Sequence, residues 1–392
     1  MSAPLEGIKV VELARILAGP WTGQTLADLG ADVIKVESPQ GDDTRGWGPP
    51  FVDGDADESS DAAYFHACNR GKRSITVDFR TEEGQDVVRR LVAEADILIE
   101  NFKVGGLEKY GLDYDSLSKV NPKLIYCSIT GFGQDGPYAH RAGYDFMIQG
   151  MGGIMDLTGD PEGDPQKIGV AFADIFTGLY GVVGVLAALR RRDQTGEGEW
   201  IDMALLDAQV GVLANQALNY FVSGNTPKRL GNAHPNIVPY QVFPVADGHL
   251  IIAVGNDGQF VRLCDVLGCP ELPKRTEFAS NAARVAARDE LVPLLTAAMA
   301  GYRRDDLLKA LEKEGVPAGP INSVEDVFND EQVRHRRLKV ELPAPQAATG
   351  SVSSVRTPIS FKNGNLVLEK AAPALGEHTE EILKELGLQS GS

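Results

Sequence analysis

Apolar positions in the first third of the chain fall into short unbroken runs separated by helix-length stretches. The runs are IKVVEL over Ile8–Leu13, DVIKVE over Asp32–Glu37, DILIE over Asp96–Glu100 and LIYCSI over Leu124–Ile129. A strand that reads as continuously apolar is buried on both faces, which is the habit of parallel sheets. Between the first two runs lies Ala18–Leu29, long enough for a crossover helix, and residues 81–95 space their apolar positions along one helix face. Successive βαβ units of this kind predict an α/β fold with a Rossmann-like domain over roughly the first 200 residues. Trp200–Leu206 continues the strand pattern, and a long helix is predicted over 206–222. A loop rich in turn residues, SGNTPKRLGNAHPN, then marks a change of composition. Beyond it a strand at Gly248–Val254 and helical stretches at 257–267, 286–300 and 303–313 read as a smaller α/β or α+β domain. From Asn322 onward the pattern is charged helix and short β-like pieces, ending in HTEEILKELG. The uncharged run Ile175–Leu189 reads as a buried helix, since it falls short of the roughly 18–20 residues a bilayer span needs.

Composition narrows this picture. In 392 residues, 38 Lys and Arg stand against 55 Asp and Glu, a formal charge of −17. That surplus of acid argues against nucleic acid as a partner, because phosphate contacts draw on Lys and Arg. With 43% hydrophobic and 24% charged residues the chain is that of a globular protein with a sizeable core. Cys68, Cys127, Cys264 and Cys269 show neither a C-x-x-C pair nor a zinc spacing, so reduced thiols, no metal and a cytoplasmic setting are expected. The first residues, MSAPLEGIKVVEL, lack the basic and apolar regions of a signal peptide.

Several motifs carry candidate chemistry. Gly131, Gly133 and Gly136 spell G-x-G-x-x-G, but Pro137 follows at once and no helix opens there, so no nicotinamide or flavin cofactor is expected. The glycines read better as a loop where a ligand or another backbone comes close. P-loop, G-x-S-x-G and H-E-x-x-H motifs are absent. Asp174 precedes the long apolar run, where a carboxylate is favoured both as a helix cap and by the helix dipole. Gly178, Gly181 and Gly184 recur every third residue behind it, as close helix packing requires. Basic residues cluster in spite of the acidic total: Arg70, Lys72, Arg73, Arg80, Lys103, Lys109 and Arg141. Several stand next to strand ends, where an α/β sheet binds its ligands, and they point to an anionic ligand.

Taken together, LEGIKVVELARILAGPWTGQTLADLGADVIKVESPQGDDTRGWGP, NRGKRSITVDFR, ILIENF, YCSITGFGQDGPYAHRAGYDF, FADIFTGLYG and TGEGEWIDMALLDA strongly resemble the family III CoA-transferases. That group includes the formyl-CoA:oxalate and carnitine enzymes and, as a relative, α-methylacyl-CoA racemase. The resemblance implies a large domain over 1–205, a linker helix and loop over 206–230, a small domain over 231–325 and a C-terminal return over 326–392, in an interlocked homodimer. It implies Asp174 as nucleophile, with Asp145, Gly255, Gly258 and Gln259 in support, the last three from a mobile glycine-rich loop over the reacting carboxylate. It further implies a site for coenzyme A, carried in as an acyl-CoA substrate, at Arg15, Ala18, Val77, Asp78, Arg80, Asn101, Phe102, Lys103, Lys109, Arg141 and Tyr144, and acyl recognition at His234 and Tyr240. Two positions depart from the formyl-CoA enzymes: Ser38 replaces an Arg near the adenosine, and Leu17 replaces a Gln near the oxalyl group. Oxalate is therefore disfavoured, and a dicarboxylate such as succinate is expected as donor or acceptor. The alternatives are a racemase or a noncatalytic CoA-binding protein. Racemases carry a His before the Asp of a G-H-D segment, whereas this chain has Gly143-Tyr144-Asp145, and Tyr is a poor acid/base at neutral pH.

Overall fold

The computed structural model describes residues 2–52, 61–345 and 347–388. The chain divides into two compact units, one of Met1–Ile154, Lys167–Val222 and Gln332–Ser392, the other of Met155–Gln166 and Ser223–Glu331. The division interleaves more than a large domain over 1–205 and a linker over 206–230 would.

The first unit is built on six strands, β1 (Lys9–Glu12), β2 (Asp32–Glu37), β3 (Arg73–Thr76), β4 (Ile97–Glu100), β5 (Ile125–Thr130) and β6 (Glu199–Ala204). They form one all-parallel sheet in the order β3-β2-β1-β4-β5-β6. Successive side chains point to opposite faces, and both faces are covered. Val10, Val33, Ile97, Ile99 and Cys127 pack beneath Leu26, Val182 and Val185 on one side. On the other, Val11, Ile34, Leu98 and Tyr126 meet Val88, Leu91, Leu117 and Ile382. This two-sided burial is the physical cause of the unbroken apolar runs.

The helix Phe172–Thr195 corrects an expectation. It buries Ala173, Thr177, Gly178, Gly181, Val182, Val185, Ala188 and Leu189, but its other face leaves Leu179, Tyr180, Val183 and Leu186 exposed, Val183 by 61%. By length and composition it could cross a membrane; its buried face belongs instead to the core of the sheet. The expected single helix over 206–222 is two, Leu205–Gly211 and Ala214–Ser223, with Ala214 at a positive φ of 47° where the chain turns. Near the C-terminus, Lys339–Pro343 pairs with Ser351–Val355, and the helix Thr379–Glu385 packs on β3. There the His378 N–H donates to the Ser74 carbonyl at 2.9 Å and the Thr76 N–H to Thr379 Oγ1 at 3.1 Å. An otherwise open sheet edge is thereby covered.

In the second unit β7 (Tyr240–Val245), β8 (Gly248–Ala253) and β9 (Ala318–Gly319) form an antiparallel sheet. Phe243, Leu250 and Ile252 pack there with Phe260, Leu295 and Leu311 from the surrounding helices.

Candidate functional site

At the carboxyl ends of the parallel strands lies a cavity of about 620 Å³. The order of the sheet reverses between β1 and β4, and open α/β sheets take their ligands at such switch points. Loops after all of β1 to β5 contribute. The cavity is lined by Arg15 and Ala18 after β1, Val77, Asp78 and Arg80 after β3, and Asn101, Phe102, Lys103 and Lys109 after β4. Arg141, Tyr144 and Asp145 come from the segment after β5, and Asp174 from the long helix. Thirteen positions singled out in the sequence, spread over 160 residues of chain, are thus brought to one cavity wall; Ser38 and Leu17 line it too.

Close packing sets where Asp174 stands. A Cβ on Gly178 would lie 2.7 Å from the Ala18 carbonyl oxygen, so glycine lets the long helix approach the helix Ala18–Asp28. Thr22 Oγ1 bonds the Gly178 carbonyl at 3.0 Å across that contact. The first turn of the long helix is capped from outside: Asp145 Oδ1 accepts from the Ala173 N–H at 2.8 Å and the Asp174 N–H at 3.4 Å. Asp145 Oδ2 accepts from Gln149 Nε2 at 2.8 Å. Asp174 is therefore not the cap its position suggested, and its carboxylate has no hydrogen-bond or ion-pair partner among the described residues. Burial, reinforced by the neighbouring Asp145 charge, pushes its carboxyl up to about 7.

The cations differ in how far they are committed. Arg15 pairs with Asp43 at 2.6 Å, and Arg80 with Asp78 at 2.7 Å. Lys103, Lys109 and Arg141 have no carboxylate partner among the described residues. Lys109 lies over the Tyr110 ring, and Arg141 over Phe132 and Tyr138. Asn101 accepts from the Arg15 N–H at 2.9 Å and donates to its carbonyl at 2.6 Å, tying the loops after β1 and β4 together. Glu100, its carboxyl pushed up to about 7 by burial, accepts the Phe102 N–H at 2.8 Å and braces the same loop from behind.

Other basic residues are not part of the site. Arg70 is buried on Asp28 and Lys72 on Glu12, and half-buried Arg73 pairs with Asp32, Glu381 and Glu385, so their charges are met away from the cavity wall. The glycine loop after β5 serves close backbone approach, since a Cβ on Gly131 would lie 2.5 Å from Gly143 Cα. Gly255, Gly258 and Gln259 belong to the second unit, and there the expected loop is largely helix. Asn256 caps the helix Asp257–Val266 by accepting the Gln259 N–H at 2.9 Å, so capping prevails over the flexibility of Gly258. His234 and Tyr240, in the same unit, lie with ring centroids 5.3 Å apart. Burial, with Arg288 nearby, holds the His234 pKa below its usual value.

Motif reading passed over Ile16, Gln40, Phe79 and Tyr110, which also line the cavity. Their side-chain types carry no chemical signature, and only the strand-end topology would have marked them.

Residues 5–379 match the family described as CoA-transferase family III. A succinate–glutarate CoA-transferase of Agrobacterium fabrum is 58% identical over 384 residues, covering 98% of this chain and 96% of that protein. The succinyl-CoA:glutarate CoA-transferase of Homo sapiens is 40% identical, covering 98% of this chain and 86% of its own. A crystal structure of a CAIB/BAIF family protein from Brucella suis superposes with a TM-score of 0.87 at 64% identity, covering 98% of this chain and 100% of that one. The cavity sits where a parallel α/β sheet holds an anionic ligand, and the relatives match from end to end: the chain belongs to CoA-transferase family III and is a CoA-transferase that uses CoA thioesters.

Proposed function

We propose that this enzyme moves CoA between dicarboxylic acids, with succinyl-CoA as donor and glutarate or a similar diacid as acceptor, and with Asp174 as nucleophile. The observation that carries this reading is the Asp174 carboxylate, without a partner among the described residues, in a cavity that also holds Lys103, Lys109 and Arg141, which have no carboxylate partner among those residues. Cations suit the phosphates of CoA, and the named relatives are a succinate–glutarate CoA-transferase and a succinyl-CoA:glutarate CoA-transferase. The enzyme works as a homodimer in the cytoplasm, each chain folded as two domains, with no nucleic acid, membrane or metal involved.

A carboxylate nucleophile suits the reaction, because the energy of the thioester must be retained. An Asp174 oxygen attacks the acyl carbonyl, the C–S bond breaks, and an aspartyl–acyl anhydride and CoA thiolate form. The thiolate then attacks the aspartyl carbonyl, giving aspartyl-CoA and releasing the donor acid as its carboxylate. The acceptor carboxylate attacks the carbonyl of aspartyl-CoA, whose C–S bond breaks to release CoA thiolate and leave a second aspartyl–acyl anhydride. The thiolate then attacks the acyl carbonyl of that anhydride, giving the new acyl-CoA as the bond to the Asp174 oxygen breaks and its carboxylate is restored. No net proton is consumed. Asp145 holds the helix start on which Asp174 stands. With both its oxygens taken up by Ala173, Asp174 and Gln149, it is poorly placed to act as a racemase base.

Incubating the enzyme with succinyl-CoA and, in turn, glutarate, malate, itaconate or oxalate tests the reading. New acyl-CoA should form with the longer diacids and not with oxalate, and Asp174→Ala should abolish it while free CoA still binds. Transfer retained in Asp174→Ala would refute the nucleophile.

A further inference from the structure

Ile16 has a φ of 73°, in the left-handed region that β-branched residues rarely occupy. It stands in the cavity wall between Arg15 and Leu17, in the turn that joins β1 to the helix Ala18–Asp28. Such a conformation persists only where the surroundings hold it. The neighbouring Arg15 backbone is held by Asn101 on both its N–H and its carbonyl. The Ile16 N–H points at the Asp42 carboxylate, 3.2 and 3.3 Å from its two oxygens.

Asp42 is itself fixed from behind. It is 2% exposed, and its Oδ1 accepts the Thr44 N–H at 3.0 Å and the Thr44 hydroxyl at 2.8 Å. Lys35 Nζ lies 3.0 Å from its Oδ2. Lys35, also buried, donates to the Ala14 carbonyl at 2.9 Å and lies 3.2 Å from Glu12, which in turn holds Lys72 at 2.8 Å. Alternating charges thus run Lys72, Glu12, Lys35, Asp42 through the protein interior and end on one backbone N–H in the cavity wall. Burial alone would raise the Asp42 carboxyl, but Lys35 and Thr44 outweigh it and keep it below the usual range, hence ionised. Buried ion pairs give little net stability over an apolar core, so this chain of charges calls for an account beyond folding.

We propose that Asp42 is a positioning residue for the CoA-thioester site, its carboxylate set by Lys35 and Thr44 so as to hold Ile16 in the left-handed turn that shapes the wall at Arg15, Leu17 and Ala18. The proposal rests on the reading of this cavity as the CoA site. Glycine takes a positive φ without strain, so a glycine at position 16 should need Asp42 far less.

The test is a double-mutant cycle between Asp42→Asn and Ile16→Gly, read by calorimetric titration with free CoA and by steady-state kinetics with succinyl-CoA, melting temperature being followed in parallel. Loss of one charge-assisted hydrogen bond should weaken CoA binding about tenfold and raise KM alike, with kcat within about twofold. In the Ile16→Gly background Asp42→Asn should cost no more than about threefold. Thr44→Val, a milder way of loosening the same carboxylate, should show the same pattern at about threefold and serves if Asp42→Asn does not fold. Unchanged CoA affinity in folded Asp42→Asn or Thr44→Val would overturn the proposal. So would an equal loss in both backgrounds, which would place the action of Asp42 elsewhere than on Ile16. Failure of the wild-type enzyme to bind CoA would instead strike at the CoA site itself, and the proposal would fall with it.

Discussion

A carboxylate that is to act as a nucleophile has to be kept out of two other roles, capping a helix and pairing with a cation. Asp174 is the third residue of its helix, whose N-cap position is Ala171, and the side-chain capping is supplied from outside by Asp145. The vacated carboxylate is partly buried and its pKa rises from the usual 3.8 to about 7. Only the ionised form attacks a thioester, so a raised pKa leaves less nucleophile as the pH falls. The pH profile of kcat/KM, which reports groups of the free enzyme, should therefore decline on the acid side with a midpoint near 7. A midpoint near 4 would mean that Asp174 is as solvated as a surface aspartate. The sequence marked Asp174 as an acid ahead of an apolar helix but could not say whether it was free, because the residue that relieves it lies 29 positions earlier. Ile16 and Asp42 gave no signal at all. A left-handed isoleucine and a buried aspartate are facts of tertiary surroundings, and neither residue type announces them.

Helices and strands were legible to the degree that burial was two-sided. β1, β2, β4 and β5 lie within the parallel sheet and read as apolar runs. β3 and β7 are edge strands, RSIT and YQVFPV, and an edge tolerates polar residues and even Pro244, so neither shows a clear period. The stripe Gly178, Gly181, Gly184 was legible as a packing surface, though its partner was not. That partner is the helix Ala18–Asp28 for the first two, whose added Cβ atoms would meet the Ala18 oxygen at 2.7 Å and Thr22 Oγ1 at 3.0 Å. Because this contact holds the helix that carries Asp174 against the helix Ala18–Asp28, Gly178→Ala should harm both stability and catalysis. Overpacking of this kind costs about 1–3 kcal/mol, to be read by denaturant unfolding, with kcat reduced as well. Gly301→Ala, which meets nothing within 4 Å, is the control. Equal behaviour of the two variants would show that the helices do not need this approach.

For the molecule as a whole, a net charge of −17 describes its long-range field and solubility, whereas a pocket needs only a few local cations. Lys103, Lys109 and Arg141 supply them at one cavity in an otherwise acidic protein. A second whole-molecule feature is the apolar surface left open by the first unit: Tyr180 and Val183 on one helix, Phe221 and Val222 on another, Val222 with 85% of its surface bare. Exposed apolar surface of that kind marks interaction sites, and it supports the proposed homodimer. Val183→Glu should shift sedimentation equilibrium from two chains toward one; an unchanged dimer would place the interface elsewhere. The most direct measurement of the central claim concerns Asp174 itself. Enzyme mixed with succinyl-CoA and quenched with hydroxylamine should carry a hydroxamate at Asp174, found by peptide mass spectrometry, because both the anhydride and the aspartyl-CoA react with that nucleophile. A modified Asp174 peptide that disappears in Asp174→Ala is the predicted result. Turnover without any adduct at Asp174, or an adduct on another carboxylate, would contradict it.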